Sequence, residues 1–115
     1  MKKIKRKGKN MKLLTESIKR AAENQYEKQG DMKQDVVAKF FNPCGSGTWY
    51  LMNKDPNDGY CWGIVNMHAV EVGSFDINEL QNLELPFGLG IERDLSFKPQ
   101  PANEIFDKLN KGEHV

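Results

Sequence analysis

The chain has 115 residues, 38% of them hydrophobic, and a formal net charge of +1. That length fits one domain, able to bury roughly two-thirds of its unfolded surface without staples. No run approaches the ~18 apolar residues of a membrane span. The basic start is not followed by the apolar stretch of about 7–15 residues that a secretory signal requires, so a cytoplasmic protein with free thiols is expected.

The small net charge hides an asymmetry. Residues 1–10 hold six of the 17 basic side chains and no acid, which leaves 11 bases against 16 acids and a charge of −5 on residues 11–115. A disordered basic extension is expected over 1–12 and a single α+β domain over 13–115. Lys2, Lys3, Lys5, Arg6, Lys7 and Lys9 are nucleic-acid candidates, because a basic arm neutralises phosphates. The arm has no aromatic side chain to stack on bases, so a solvated leader or a start at Met11 is the favoured explanation.

Thr15 is placed to cap a helix in which Leu14, Ile18, Ala22 and Tyr26 form one apolar stripe, with Gly30 ending it. Asp35–Asn42 reads as a strand, with Val36, Ala38 and Phe40 on one face and Val37, Lys39 and Phe41 on the other. Pro43 stops it, and residues 44–47, CGSG, make a hairpin loop before a second strand from Thr48 to Asn53. Asp55-Pro56-Asn57-Asp58-Gly59 is a strong turn, since proline presets φ and Asn, Asp and Gly tolerate positive φ. Tyr60–Asn66 and Ala69–Phe75 are the third and fourth strands. Asp76 caps a short helix with Ile77, Leu80 and Leu83 inward and Glu79 completing a capping-box pattern. The apolar loop Leu85–Gly90 should tuck against the core, Ile91–Phe97 should form a short strand, and Asn103–Asn110 a terminal helix. The expected fold is therefore α+β: a small, meander-like antiparallel sheet of four to five strands, packed by an N-terminal helix and short C-terminal helices.

No catalytic constellation stands out. Gly45-Ser46-Gly47 precedes a strand, whereas phosphate-binding glycine loops precede a helix. Cys44, Cys61, His68 and His114 lack metal-site spacing, so neither metal nor cofactor is expected. Cys61, in a strand, reads as a packed small hydrophobe. Glu92 and Asp94 would share one face of an extended segment and Arg93 the other. That arrangement suits acid–base chemistry or structural ion pairs. Trp49, Tyr50, Tyr60 and Trp62 lie on adjacent strands and serve the core or an exposed stacking face; Trp49 and Tyr50 point to opposite faces, so one is the better surface candidate. Asp55, Asp58 and Glu71, with the other carboxylates at 76, 79, 84, 92 and 94, could build a negative surface for a protein partner. The binding candidates are thus Trp49, Tyr50, Asp55, Asp58, Tyr60, Glu71, Glu92, Arg93 and Asp94.

Several of these segments carry a resemblance. They are Lys12-Leu13-Leu14-Thr15; Ala38-Lys39-Phe40-Phe41-x-Pro43 leading to Thr48-Trp49-Tyr50; Gly63-x-Val65; Glu71-x-Gly73-x-Phe75 with Glu79-Leu80; Leu85-Pro86-x-Gly88-Leu89; and Ile91-Glu92-Arg93-Asp94-Leu95-x-Phe97-x-Pro99. Over about residues 11–101 the chain resembles the family catalogued as domain of unknown function 2958, whose members are carried on plasmids, integrative elements and phages. One departure is Ser74, where members often have an aromatic. The resemblance implies an accessory protein of a mobile element. Through a relative that looks like an anti-CRISPR protein, it also implies an inhibitor of type II RNA-guided nucleases, which hold nucleic acid in basic channels. Such an inhibitor needs no active site. A nucleic-acid-binding accessory protein using the basic arm, and a small enzyme using Glu92 and Asp94, are the alternatives.

Overall fold

The computed structural model describes residues 11–115. In chain order the elements are α1 (Glu16–Asn24), a 3-10 turn (Tyr26–Lys28), β1 (Asp35–Val36), β2 (Ala38–Phe41), β3 (Thr48–Lys54), β4 (Tyr60–Asn66) and β5 (Val70–Asp76). They continue with α2 (Ile77–Asn82), a second 3-10 turn (Pro86–Gly88), β6 (Glu92–Arg93), β7 (Gln100–Pro101) and α3 (Ala102–Asn110). Five strands form one antiparallel sheet in the order β5-β4-β3-β2-β6, and β1 pairs with β7 in a separate two-stranded ribbon. The fold is α+β, a meander from β2 to β5 with β6 returning to the far side of β2.

The central strand explains the two-sided core. A strand covered on both faces needs a continuous apolar run rather than alternation, and β3 supplies one: its Trp49 and Leu51 enter one buried cluster with Leu13, Ala22, Phe40 and Cys61. Its Tyr50 and Met52 enter another with Val36, Ile64, Ile105 and Leu109. α1 and α2 therefore pack on one face of the sheet and α3 on the other. The register slips between Leu51 and Asn53, where Met52 is the extra residue of a bulge, and the bent strand delivers Asn53 and Lys54 into buried positions.

The donors of both groups are engaged there, while the buried Asn53 Oδ1 accepts no hydrogen bond among the described residues. Asn53 donates to the Gln29 carbonyl (2.9 Å) and to Gln34 Oε1 (3.0 Å). Lys54 Nζ reaches Glu23 Oε2 at 3.3 Å and the Asp55 carbonyl at 2.9 Å. Gln25 adds a further tie, donating to the carbonyls of Asp35 (3.0 Å) and Met52 (2.7 Å). The connection from α1 to the sheet is held by these amides, since apolar side chains are scarce in it.

Several expectations are corrected. α1 ends at Asn24, not at Gly30, and the residue with positive φ after it is Gln29 (φ 48°). Gly30 serves a different purpose: a Cβ there would stand 3.1 Å from the Trp62 ring. The strand expected over 35–42 divides at Val37, whose N–H donates to the Leu51 carbonyl while β1 turns aside to β7. The strand expected over 91–97 is only two residues long, because Asp94 starts a turn, its Oδ1 accepting from Ser96 N (2.9 Å) and its carbonyl from Phe97 N (3.3 Å). Leu83 lies past the end of α2 and is exposed. Leu85 packs on the core, but Phe87 two residues later is 93% exposed in a left-handed conformation (φ 65°).

Candidate interaction surface

The candidate residues separate into four places. β5 and β6 are opposite edges of the sheet, four strand spacings or roughly 19 Å apart, so Glu71 and the Glu92–Asp94 cluster do not share a site. Asp55, Asp58 and Tyr60 lie at the β3–β4 turn, at one end of the sheet. Trp49 and Tyr50 do face opposite ways, but both faces of β3 are covered, and the two residues are 8% and 2% exposed. Tyr60 is the more open aromatic, 39% exposed and set edge-on to Trp62 with centroids 6.2 Å apart.

The β6 cluster is built into the framework. Arg93 points to the α1 side, where its guanidinium donates to the carbonyls of Lys12 and Leu13 and its N–H donates to Met11 Sδ (2.9 Å). Met11 and Lys12, expected within the disordered extension, are thereby tied to the sheet, and Gln81 Nε2 donates to the Met11 carbonyl (2.9 Å). Asp94 points to the α3 side and pairs with Lys39 Nζ at 3.5 Å. Lys39 also lies over the Tyr50 ring, 5.8 Å from its centroid, and donates to the Val115 carbonyl group. Burial, with the charge of Asp94 added, pushes the Tyr50 phenol up to about 12. Glu92 is half-buried beside Phe41. The nucleic-acid candidates Lys2, Lys3, Lys5, Arg6, Lys7 and Lys9 lie outside the described residues.

A second electrostatic feature is the stretch of chain between Lys54 and Arg93. The 38 residues from 55 to 92 contain no Lys or Arg and seven carboxylates: Asp55, Asp58, Glu71, Asp76, Glu79, Glu84 and Glu92. The first six lie on β4, β5, α2 and their connections, and Glu92 lies on β6 at the opposite edge of the sheet. Among the described residues the ion pairs are Lys39–Asp94 and Lys54–Glu23, so none of these seven is paired with a base. Asp58, Asp76 and Glu79 gather where the β3–β4 turn meets the start of α2, and Asp58 and Asp76 spend one oxygen each on capping the N–H groups of Tyr60 (2.9 Å) and Asn78 (2.8 Å). Uncompensated carboxylates on one side of a small domain project a negative potential and draw basic partners. The readable signal for this surface was the absence of lysine and arginine between Lys54 and Arg93, rather than any single acidic residue.

Among the described residues no three His, Cys, Asp or Glu side chains converge as a metal-binding group, and no helix is long and apolar enough to cross a membrane. Cys44 is exposed in the β2–β3 loop; Cys61 is buried in β4, and burial pushes its thiol up to about 12, with the nearby Asp76 and Asp58 charges acting in the same direction.

Comparison with protein families gives a match to proteins of unknown function (DUF2958) over residues 10–111. The chain belongs to the DUF2958 family. No curated protein and no solved structure matches it. In this DUF2958 protein the segments that carry the resemblance are largely architectural. Gly63 cannot bear a side chain, because a Cβ would overlap the Tyr50 carbonyl oxygen, and Phe75 lies over the vacated place with Cε1 3.1 Å away. Gly88, in left-handed backbone beside Phe87, closes the loop in which Leu85 N donates to the Leu89 carbonyl (2.9 Å). Arg93 and Asp94 anchor two different parts of the chain to β6.

Proposed function

We propose that this DUF2958 protein is a non-catalytic binding protein whose acid-only side, built from β4, β5 and α2, docks a basic partner. The observation that carries the reading is the absence, among the described residues, of an ion pair at all six carboxylates between residues 55 and 84. The engagement of Asp94 by Lys39, and of Arg93 by main-chain carbonyls, supports it from the other direction, since it commits much of the densest charge cluster to structure. In the setting the family resemblance implies, the protein is an accessory factor of a mobile element. Its partner is then a type II RNA-guided nuclease, whose nucleic-acid channel is basic.

The test measures DNA cleavage and DNA binding by a type II guide–nuclease complex, with the wild-type protein and with the double variant Glu71→Lys, Glu79→Lys. Both carboxylates are exposed and on the acidic side. Inhibition by wild type that weakens at least tenfold in the variant supports the reading. Inhibition unchanged by the charge reversal overturns the acidic surface, and no binding to such complexes overturns the nuclease as partner. A direct shift of DNA by residues 1–115 that disappears on deleting 1–10 would favour the basic arm as the active part instead.

A further inference from the structure

β5 ends the sheet on the acidic side, and its outer edge pairs with nothing among the described residues. The hydrogen-bond phase of this edge follows from its two ends. Ile77 N donates to the Gly59 carbonyl (2.9 Å) and Met67 N to the Ala69 carbonyl (3.3 Å). With Gly63 opposite Gly73 in an unbroken register, Glu71, Gly73 and Phe75 spend their backbone groups on β4. Val70, Val72 and Ser74 then turn theirs outward, because the two sides alternate along an antiparallel strand.

Sheet edges are normally protected by shortness, bulges, lysines, prolines or a covering segment. The opposite edge follows that rule: β6 has two residues and is covered by residues 11–13 through Arg93. β5 has seven residues, no proline, no lysine and no register shift. A Cβ at Gly73 would meet nothing within 4 Å, so a vacant place lies on this face between Glu71 and Phe75.

We propose that β5 accepts an extended basic segment of a partner protein as an added antiparallel strand. This rests on the acidic-surface reading and specifies how the partner is held. Main-chain hydrogen bonds to Val70, Val72 and Ser74 supply the grip, and alternate side chains supply the selection. The residue opposite Gly73 lies in a close, non-hydrogen-bonded pair. Its side chain crosses the vacant place, and an arginine or lysine there reaches the Glu71 carboxylate along the Phe75 ring. A second copy of β5 fits the edge less well, since it brings two acid-only strands together.

The experiment titrates the full chain with a fluorescein-labelled heptapeptide of alternating threonine and arginine, and with the same peptide N-methylated on alternate residues. Backbone amides are followed by hydrogen exchange. The expected result is salt-dependent binding, new protection at Val70, Val72 and Ser74, and at least about tenfold weaker binding of the N-methylated peptide, which loses its backbone donors. Val72→Pro, which removes an outward N–H and leaves the β4 ladder intact, should weaken the unmodified peptide similarly. Equal binding of both peptides, or protection elsewhere, overturns strand addition and leaves the acidic surface standing. No binding of either peptide, with the Glu71→Lys, Glu79→Lys variant still losing its nuclease, has the same meaning. A dimer of the free protein that Val72→Pro dissociates overturns the basic occupant in favour of a second copy.

Discussion

Two buried ionisable side chains set the behaviour of this protein in alkali. Burial makes Cys61 and Tyr50 both weaker acids, moving the thiol from 9.0 to about 12 and the phenol from 10.0 to about 12. Each is favoured in its neutral form by the fold, so its contribution is complete below the unfolded value and is lost as pH climbs to the folded one. Stability should hold steady up to about pH 9 and fall between pH 9 and 12, as read by urea midpoints across that range. Cys61→Ala should shift the onset of the fall toward pH 10, where Tyr50 alone begins to ionise when unfolded. The same burial separates the two thiols: a thiol reagent at neutral pH should label Cys44 in the native protein and reach Cys61 only after unfolding, giving one and then two equivalents.

At the scale of elements, the α1–sheet connection depends on side-chain amides more than on apolar contact. Gln25 bonds the carbonyls of Asp35 and Met52 and also accepts from Asp35 N at 3.3 Å. Gln25→Ala leaves partly buried main-chain groups without a partner and should cost roughly 1–3 kcal/mol in chemical denaturation. Strands β3, β4 and β5 were legible because β-branched and aromatic residues crowd residues 48–75 and the turn residues between them are strong. β6 was overextended, because the alternation of Ile91 to Phe97 says nothing of a turn formed by the Asp94 side chain. Gly30 was misread for a related reason. A glycine near a helix end suggests a cap, whereas here the demand for a small residue comes from the Trp62 ring, 32 positions away.

On the scale of the whole molecule, charge is segregated by strand. The carboxylates from 58 to 84 should make the fold more stable in salt, since screening relieves repulsion among acids that form no ion pair with the described residues. The thermal midpoint should rise between 20 and 500 mM sodium chloride, and Glu71→Lys with Glu79→Lys should flatten that rise. A list of acidic residues in the sequence hinted at this surface but could not place it. Only the strand order shows that Glu92 leaves for the far edge while Glu71, Asp76 and Glu79 stay together. The role of Arg93 was equally hidden, because its partners lie 80 or more positions earlier in the chain.

That separation carries a consequence for how the molecule assembles. Hairpins β2–β3, β3–β4 and β4–β5 join neighbours along the chain and can form early. The closure of residues 11–13 onto β6 must wait, since the entropy of drawing together such distant segments is recovered only once β2 is in place. Arg93 is then the latch of a late step. Arg93→Ala should leave the refolding rate within about twofold of wild type and speed unfolding by roughly tenfold, as stopped-flow chevrons would show. A matching loss on the refolding limb would mean that the two ends of the chain meet first and the meander forms between them.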